Sequence, residues 1–212
     1  MTSSDCDILH SPRSSPSVTF QEKHVLEKRT DTAMTKVLVA YASKHKATAE
    51  IAQAIGEALR EFQALDIDIR SVELVEDIRS YDAVVLGSAV YAGQWQSSAA
   101  DFLKSYEQTL SQRPVWLFSS GPVSDEDTKT TKKEWTLPEA LTAVAERIKP
   151  RDITVFQGKL DVSQLNFLER SVIKLVKAPT GDFRNWNLIR GWAIGIAEAL
   201  TKPELQSLHD VQ

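Results

Sequence analysis

The sequence predicts a doubly wound, three-layer α/β sandwich on a five-stranded parallel sheet, and three observations lead to it. Short apolar runs alternate with longer stretches of helical periodicity, which is the signature of repeated βαβ units. The runs are almost continuously apolar, as strands covered on both faces must be. Each is rich in β-branched and aromatic residues, and no internal repeat suggests a solenoid or propeller instead.

The elements follow in order. Lys36-Val-Leu-Val-Ala-Tyr41 reads as a buried strand, and Thr48 to Phe62 as a helix with Ile51, Ala52, Ile55, Leu59 and Phe62 on one face. Ile67 to Val72 alternates like a strand near a sheet edge, and Ala83 to Gly87 is a continuous apolar strand. A helix from about Ser97 to Leu110 turns Ala100, Leu103 and Tyr106 inward. Pro114 to Ser119 is the fourth strand, Pro138 to Ile148 a helix with proline near its first turn, and Ile153 to Phe156 the fifth strand. The last helix, Trp186 to Leu200, stops before Pro203.

Ahead of the first strand, Met1 to Ala33 is Ser/Pro/Asp-rich and of mixed charge, too polar to offset the entropy of ordering. Residues 1–35 are therefore expected to be a disordered tail, 36–202 a single domain, and 203–212 a flexible end. The second of the chain's two methionines, Met34, directly precedes the first strand, which makes it a candidate translation start.

Composition narrows the function classes. Of 212 residues 42% are hydrophobic and 25% charged, with 8 Gly and 8 Pro, which excludes a collagenous or low-complexity chain. A net charge of −4 offers no broad positive field for nucleic acid, so small molecules and proteins are the expected partners. The lone Cys6 lies outside the periodic region. A thiol nucleophile, a cysteine-ligated zinc and an iron–sulfur cluster are thus excluded from the folded part, and a cytoplasmic location is expected. The four histidines lack metal-ligand spacing, so no metal site is expected. No apolar run reaches the ~18 residues a membrane span needs, and no apolar signal core stands in the first thirty residues.

In doubly wound folds ligands bind beyond the carboxyl ends of the strands. That directs attention to the loops at residues 43–47, 88–96 and 120–135. The first, Ser43-Lys44-His45-Lys46-Ala47-Thr48, runs from the first strand into a helix N-terminus. Free backbone N–H groups, the helix dipole and the hydroxyls of Ser43 and Thr48 there suit a monophosphate. It is neither a dinucleotide G-x-G-x-x-G nor a P-loop. The other reading is a plain turn capped by Thr48.

On these residues the chain resembles the flavodoxin family, whose first loop, roughly [ST]-x-T-G-x-T, wraps the phosphate of FMN. Ser43 and Thr48 match its first and last hydroxyls, while Lys46 stands where the family usually has glycine. The resemblance implies the strand order 2-1-3-4-5 and FMN as cofactor. Gly87-Ser88-Ala89-Val90-Tyr91-Ala92-Gly93-Gln94-Trp95 resembles the family's second loop, which implies a place along the flavin edge for Ser88 to Ala92, with Tyr91 or Trp95 able to stack on the ring. Ser119, Ser120 and Gly121 would meet the ring's other edge.

A more specific resemblance lies after the fifth strand. Phe156-Gln-Gly158-Lys-Leu160-Asp161, Leu165-Asn-Phe167-Leu168-Glu169-Arg170-Ser171, Gly181-Asp182-Phe183-Arg184-Asn185-Trp186 and Trp192-Ala193 look like the menaquinone-dependent protoporphyrinogen oxidases, a flavodoxin branch with a long insertion, here about 158–185. That implies electrons passing from protoporphyrinogen IX through FMN to a quinone, with no protein residue as catalytic acid or base. On its own periodicity the insert is an amphipathic helix from Ser163 to Lys177, apolar along Leu165, Leu168, Val172, Leu175 and Val176 and basic at Arg170, Lys174 and Lys177. Such a face can rest peripherally on a membrane, wall a flat apolar substrate, or simply pack on the sheet. Trp95, Arg170, Lys174 and Arg184 are the candidates for substrate or membrane contact. Two other functions remain open: a flavodoxin-like electron carrier or quinone reductase, and an FMN-free binding module. No feature specifies an oligomer interface, although an oligomer is possible.

Overall fold

A computed structural model describes residues 34–121, 137–161, 163, 167, 170, 171 and 179–202. The chain divides into Met1–Ala33 and Met34–Gln212, and the described residues all belong to the second unit. The expected tails lie outside the described residues at 1–33 and 203–212, while Thr35, counted with the first tail, already belongs to the first strand; Lys174 and most of the expected insert helix 163–177 also lie outside.

The strands are β1 (Thr35–Ala42), β2 (Leu65–Ser71), β3 (Ala83–Tyr91), β4 (Gln94–Trp95), β5 (Val115–Ser120) and β6 (Asp152–Phe156). They form one sheet in the order β2-β1-β3-β5-β6, with the short β4 paired antiparallel on the end of β3. All other pairings are parallel. This is the expected 2-1-3-4-5 order, since the fourth and fifth long strands are β5 and β6. The helices are α1 (Ala47–Leu59), α2 (Ser97–Ser105), α3 (Glu107–Leu110), α4 (Glu139–Ile148) and α5 (Trp186–Thr201).

Strand alternation sorts the core into two halves. Val37, Val39, Val85, Trp116 and Phe118 pack beneath α1 and α5, against Ile51, Ile55, Leu59, Ile189 and Ile196. Leu38, Leu86 and Leu117 face the opposite layer, with Phe102, Leu103, Leu110, Leu141 and Ile148. Because β1, β3 and β5 are buried on both faces, they admit almost only apolar residues until their carboxyl ends.

Two expectations need correction. Ser88 to Tyr91, read from sequence as loop, belongs to β3: Ser88 and Ala89 continue the ladder opposite Ser119 and Ser120, and Val90 and Tyr91 then pair with β4. The turn between them, Ala92-Gly93, holds φ of 48° and 73°, the positive pair that a two-residue hairpin of this twist requires. The helix expected over Ser97 to Leu110 is two. It breaks at Tyr106, whose ring packs on Phe102 and whose hydroxyl donates to the Glu76 carbonyl at 2.9 Å. Tertiary packing has overridden a continuous helical pattern there.

At the other end of the sheet, away from the loops of interest, Tyr81 is buried and donates its hydroxyl to Asp68 at 2.6 Å. Burial and the neighbouring carboxylate push the Tyr81 phenol up to about 12. A raised tyrosine pKa favours the neutral form in the folded state, so its contribution is complete below about pH 10 and is lost as pH rises toward 12. Tyr81→Phe is therefore expected to flatten the alkaline limb of the stability curve, measured as urea midpoints between pH 8 and 11.5. An unchanged slope would show that the phenol does not control it.

Candidate functional site

Among the described residues the polar residues buried as a whole are Thr48, Ser88, Ser119 and Ser120. All four stand at the carboxyl ends of β1, β3 and β5 or in the helix that follows β1. Buried hydroxyls need partners, so a fold that concentrates them at one edge of an apolar sheet has placed a polar surface there.

The first loop forms that surface's centre. β1 ends at Ala42 and α1 begins at Ala47, with Lys46 as its N-cap residue. No side chain caps α1, and Thr48 is its second residue, so the turn is not the Thr48-capped one that spacing also allowed. The Ser43 Oγ is buried without a hydrogen-bond partner. An uncapped helix start beside an unpaired buried hydroxyl is a donor array that suits an anion.

Lys46 adopts φ 64°, ψ −19°, the left-handed conformation that glycine serves best. The lysine at the family's glycine position thus keeps the loop's shape at a cost of ~1 kcal/mol. Lys46→Gly is expected to raise stability by about that amount, less the added freedom of the unfolded chain. Its urea midpoint checks this; a lower midpoint would mean that the lysine side chain supplies more than the backbone loses.

The second loop closes over the first. With its carboxamide turned so that the oxygen faces these donors, Gln96 accepts from the backbone N–H groups of Lys44 at 2.9 Å and Ser43 at 3.2 Å. The Gln96 N–H donates to the Ser88 Oγ at 3.0 Å, and that hydroxyl donates to the Ala89 carbonyl at 3.0 Å. Gln96 was not singled out from sequence. Its only signal was its place directly before α2, where a polar side chain more often caps its own helix. Tyr91 is 45% exposed at the hairpin tip, and its ring meets the edge of His45 at 6.3 Å between centroids. The structure thus brings Ser43 to Thr48 together with Ser88 to Ala92.

The third strand end completes the edge. Ser119 and Ser120 are buried, and Gly121, at φ 126°, donates its N–H to the Phe156 carbonyl at 3.0 Å. The Trp95 indole N–H donates to the Ser119 Oγ at 2.8 Å. The sequence reading offered Trp95 as a substrate or membrane contact, but its side chain is turned into the fold. It is 6% exposed and braces the hairpin against β5.

Arg184 also differs from expectation. Proposed from sequence to contact substrate or membrane, its side chain is 3% exposed and already holds two carboxylates of this chain. It donates to both oxygens of Asp182, at 2.8 and 2.6 Å, to Glu50 at 2.6 Å, and to the Ala47 carbonyl at 3.4 Å. Its guanidinium lies 4.4 Å from the Trp186 ring centroid. The Arg184 guanidinium in turn holds the Asp182 carboxyl below its usual range. Arg190, on the last helix, is exposed and pairs with Glu61 at 2.6 Å. Neither Glu50 nor Asp182 was marked in the sequence, although the Asp182-x-Arg184 spacing on an extended segment was a readable sign of a local pair.

In the insertion, Phe167, Arg170 and Ser171 are helical, Phe167 is 83% exposed, and Arg170 donates to the Ser163 carbonyl at 3.3 Å. The insertion's neck is a two-stranded antiparallel ladder of β7 (Lys159–Leu160) and β8 (Gly181–Asp182). No helix among the described residues is long and apolar enough to cross a membrane.

Comparison with known proteins gives consistent results. The flavodoxin domain family matches residues 38–187. The protoporphyrinogen IX dehydrogenase [quinone] of Escherichia coli K12 is 23% identical over 182 residues, covering 81% of this chain and 99% of that protein. Among solved structures, a flavodoxin from the domain Archaea is 15% identical at a TM-score of 0.51, over 79% of this chain and 99% of that one. Oxidised flavodoxin 2 of Bacillus cereus is 23% identical at a TM-score of 0.50, over 77% and 99%. At these identities the structural likenesses establish the fold.

Proposed function

Since the chain belongs to the flavodoxin domain family, we propose that it is an FMN-dependent oxidoreductase of the protoporphyrinogen dehydrogenase type, with a quinone as electron acceptor. The observation that carries the reading is the clustering of Thr48, Ser88, Ser119 and Ser120, with the unpaired Ser43 Oγ, at the carboxyl edge of the sheet. These residues fit the cofactor. The uncapped start of α1, Ser43 and Thr48 suit its phosphate, and Lys46 already holds the left-handed conformation the loop requires. Lys44, His45 and Ala47 complete that loop.

Ser88 to Ala92 and Ser119 to Gly121 would flank the flavin ring, with the half-exposed Tyr91 meeting His45 of the phosphate loop. Bound there, FMN would supply reversible two-electron chemistry between a reduced substrate and a quinone. The protein's part is to bind, orient and desolvate. The β3–β4 hairpin presents Tyr91 from a turn fixed by Ala92-Gly93, and Trp95 anchors that hairpin on β5. The expected partners are a porphyrinogen and a quinone, with the insertion as the part of the chain that distinguishes it from a plain electron carrier. Arg170 and Lys174 would meet substrate propionates or an anionic membrane surface.

Purified protein is expected to retain or take up about one FMN per chain through dialysis, read by absorbance. The loaded protein should then oxidise protoporphyrinogen with a quinone faster than the autoxidation control. Retained FMN without porphyrinogen turnover would leave an electron-carrying flavoprotein. Failure to hold added FMN would remove the oxidoreductase reading altogether.

A further inference from the structure

Arg184 is the most deeply buried charge near the site, yet the proposed cofactor chemistry gives it no task. It stands on the return segment of the insertion, just after β8, where the Phe183 N–H donates to the Gly158 carbonyl at 3.1 Å. From there it reaches the first turn of α1, taking Glu50 at 2.6 Å and the Ala47 carbonyl at 3.4 Å. Its other donors are spent on Asp182, and Trp186 covers its face at 4.4 Å. The guanidinium is thus fixed on both sides, by a bidentate carboxylate and by an aromatic ring.

Glu50 is the acidic residue in the first turn of α1. A carboxylate there is itself attracted by the helix dipole, and so it competes with any anion for the same positive field. One helical turn spans about 5 Å, so an uncompensated charge at Glu50 acts on the loop over a distance at which screening by salt is incomplete.

We propose that Arg184 is a positioning residue for the phosphate loop: it neutralises Glu50 and ties the insertion's return segment to the first turn of α1, and thereby sets the loop's affinity for a phosphate monoester. The proposal rests on the FMN reading and adds to it a residue outside all three loops. It also gives the insertion's neck a second role, as the segment that carries the neutralising cation.

The test compares FMN with riboflavin, which lacks the phosphate, by flavin-fluorescence titration of wild type, Arg184→Ala, Glu50→Gln and the double variant. Arg184→Ala should weaken FMN about tenfold, the effect of one charge at this range, and leave riboflavin within about twofold. Glu50→Gln alters an exposed side chain and should fold normally; it should tighten FMN severalfold, again without moving riboflavin. The double variant should return FMN affinity to near the wild-type value. Equal weakening of both ligands in Arg184→Ala, no recovery in the double variant, or an unchanged FMN affinity in Glu50→Gln would each overturn the proposal while leaving the cofactor in place. A wild-type protein that binds riboflavin and FMN equally would overturn it too, and one that binds neither would remove the cofactor reading with it.

Discussion

Gly87→Ala is expected to destabilise the protein by about 3 kcal/mol or more, toward the upper range for overpacking a core. A Cβ at Gly87 would lie 1.9 Å from the Phe118 Cζ and 2.2 and 2.4 Å from its neighbours in the ring. Gly87 and Phe118 are direct partners across the β3–β5 ladder, so the ring lies on bare backbone that only glycine leaves open. Phe118 is fully buried and cannot swing aside. Its ring is met by Phe156 at 5.8 Å and Trp192 at 6.1 Å, and these two meet each other at 5.6 Å. The strain would open β3 from β5 immediately below Ser88 and Ser119. Urea denaturation gives the measurement, and Phe118→Leu in the Gly87→Ala background should recover part of the loss. A change under 0.5 kcal/mol would mean that the aromatic trio shifts freely.

By contrast, the Gly56 position in α1 meets the end of a flexible chain, with the Ile69 Cδ1 at 2.3 Å. The same chemical change is far better tolerated where the obstacle can rotate than where it is a wedged ring.

Ser43→Ala is expected to separate stability from binding. The Ser43 Oγ is buried and unpaired, so removing it takes away a desolvation penalty and should stabilise the ligand-free protein by ~1 kcal/mol. A hydrogen bond from that hydroxyl to a phosphate is charge-assisted and worth ~1.5–3 kcal/mol, so FMN affinity should fall roughly 10- to 100-fold. Thermal unfolding without ligand and fluorescence titration with FMN read the two effects. Stability and affinity falling together would show that the hydroxyl serves the fold and not the ligand.

The layered α/β architecture was legible from sequence for a physical reason, whereas the strand order came with the resemblance to the flavodoxins. Two-faced burial forces continuous apolar strands such as Ala83 to Leu86, and alternation with helical periodicity leaves few topologies. Ser43 and Thr48 drew attention as hydroxyls at a strand-to-helix junction, where helix capping was the competing role, and α1 carries no side-chain cap. The misreadings share a cause as well. Ser88 and Ala89 carry little strand signal, and the strand continues through Ser88 to Tyr91 by pairing with β5 and β4. Trp95 and Arg184 were assigned outward roles because amphipathic side chains are ambiguous until their partners are known. Trp95 found Ser119, 24 residues on, and Arg184 found Glu50, 134 residues back, and no local pattern encodes such distances.

The neck formed by β7 and β8 brings Leu160 opposite Gly181. Everything between these residues begins and ends at one point on the surface of the fold. The entropy of closing such a loop grows only with the logarithm of its length, about 0.6 kcal/mol per doubling. That stretch can therefore be lengthened, shortened or rewritten at little entropic cost to the strands that frame the site.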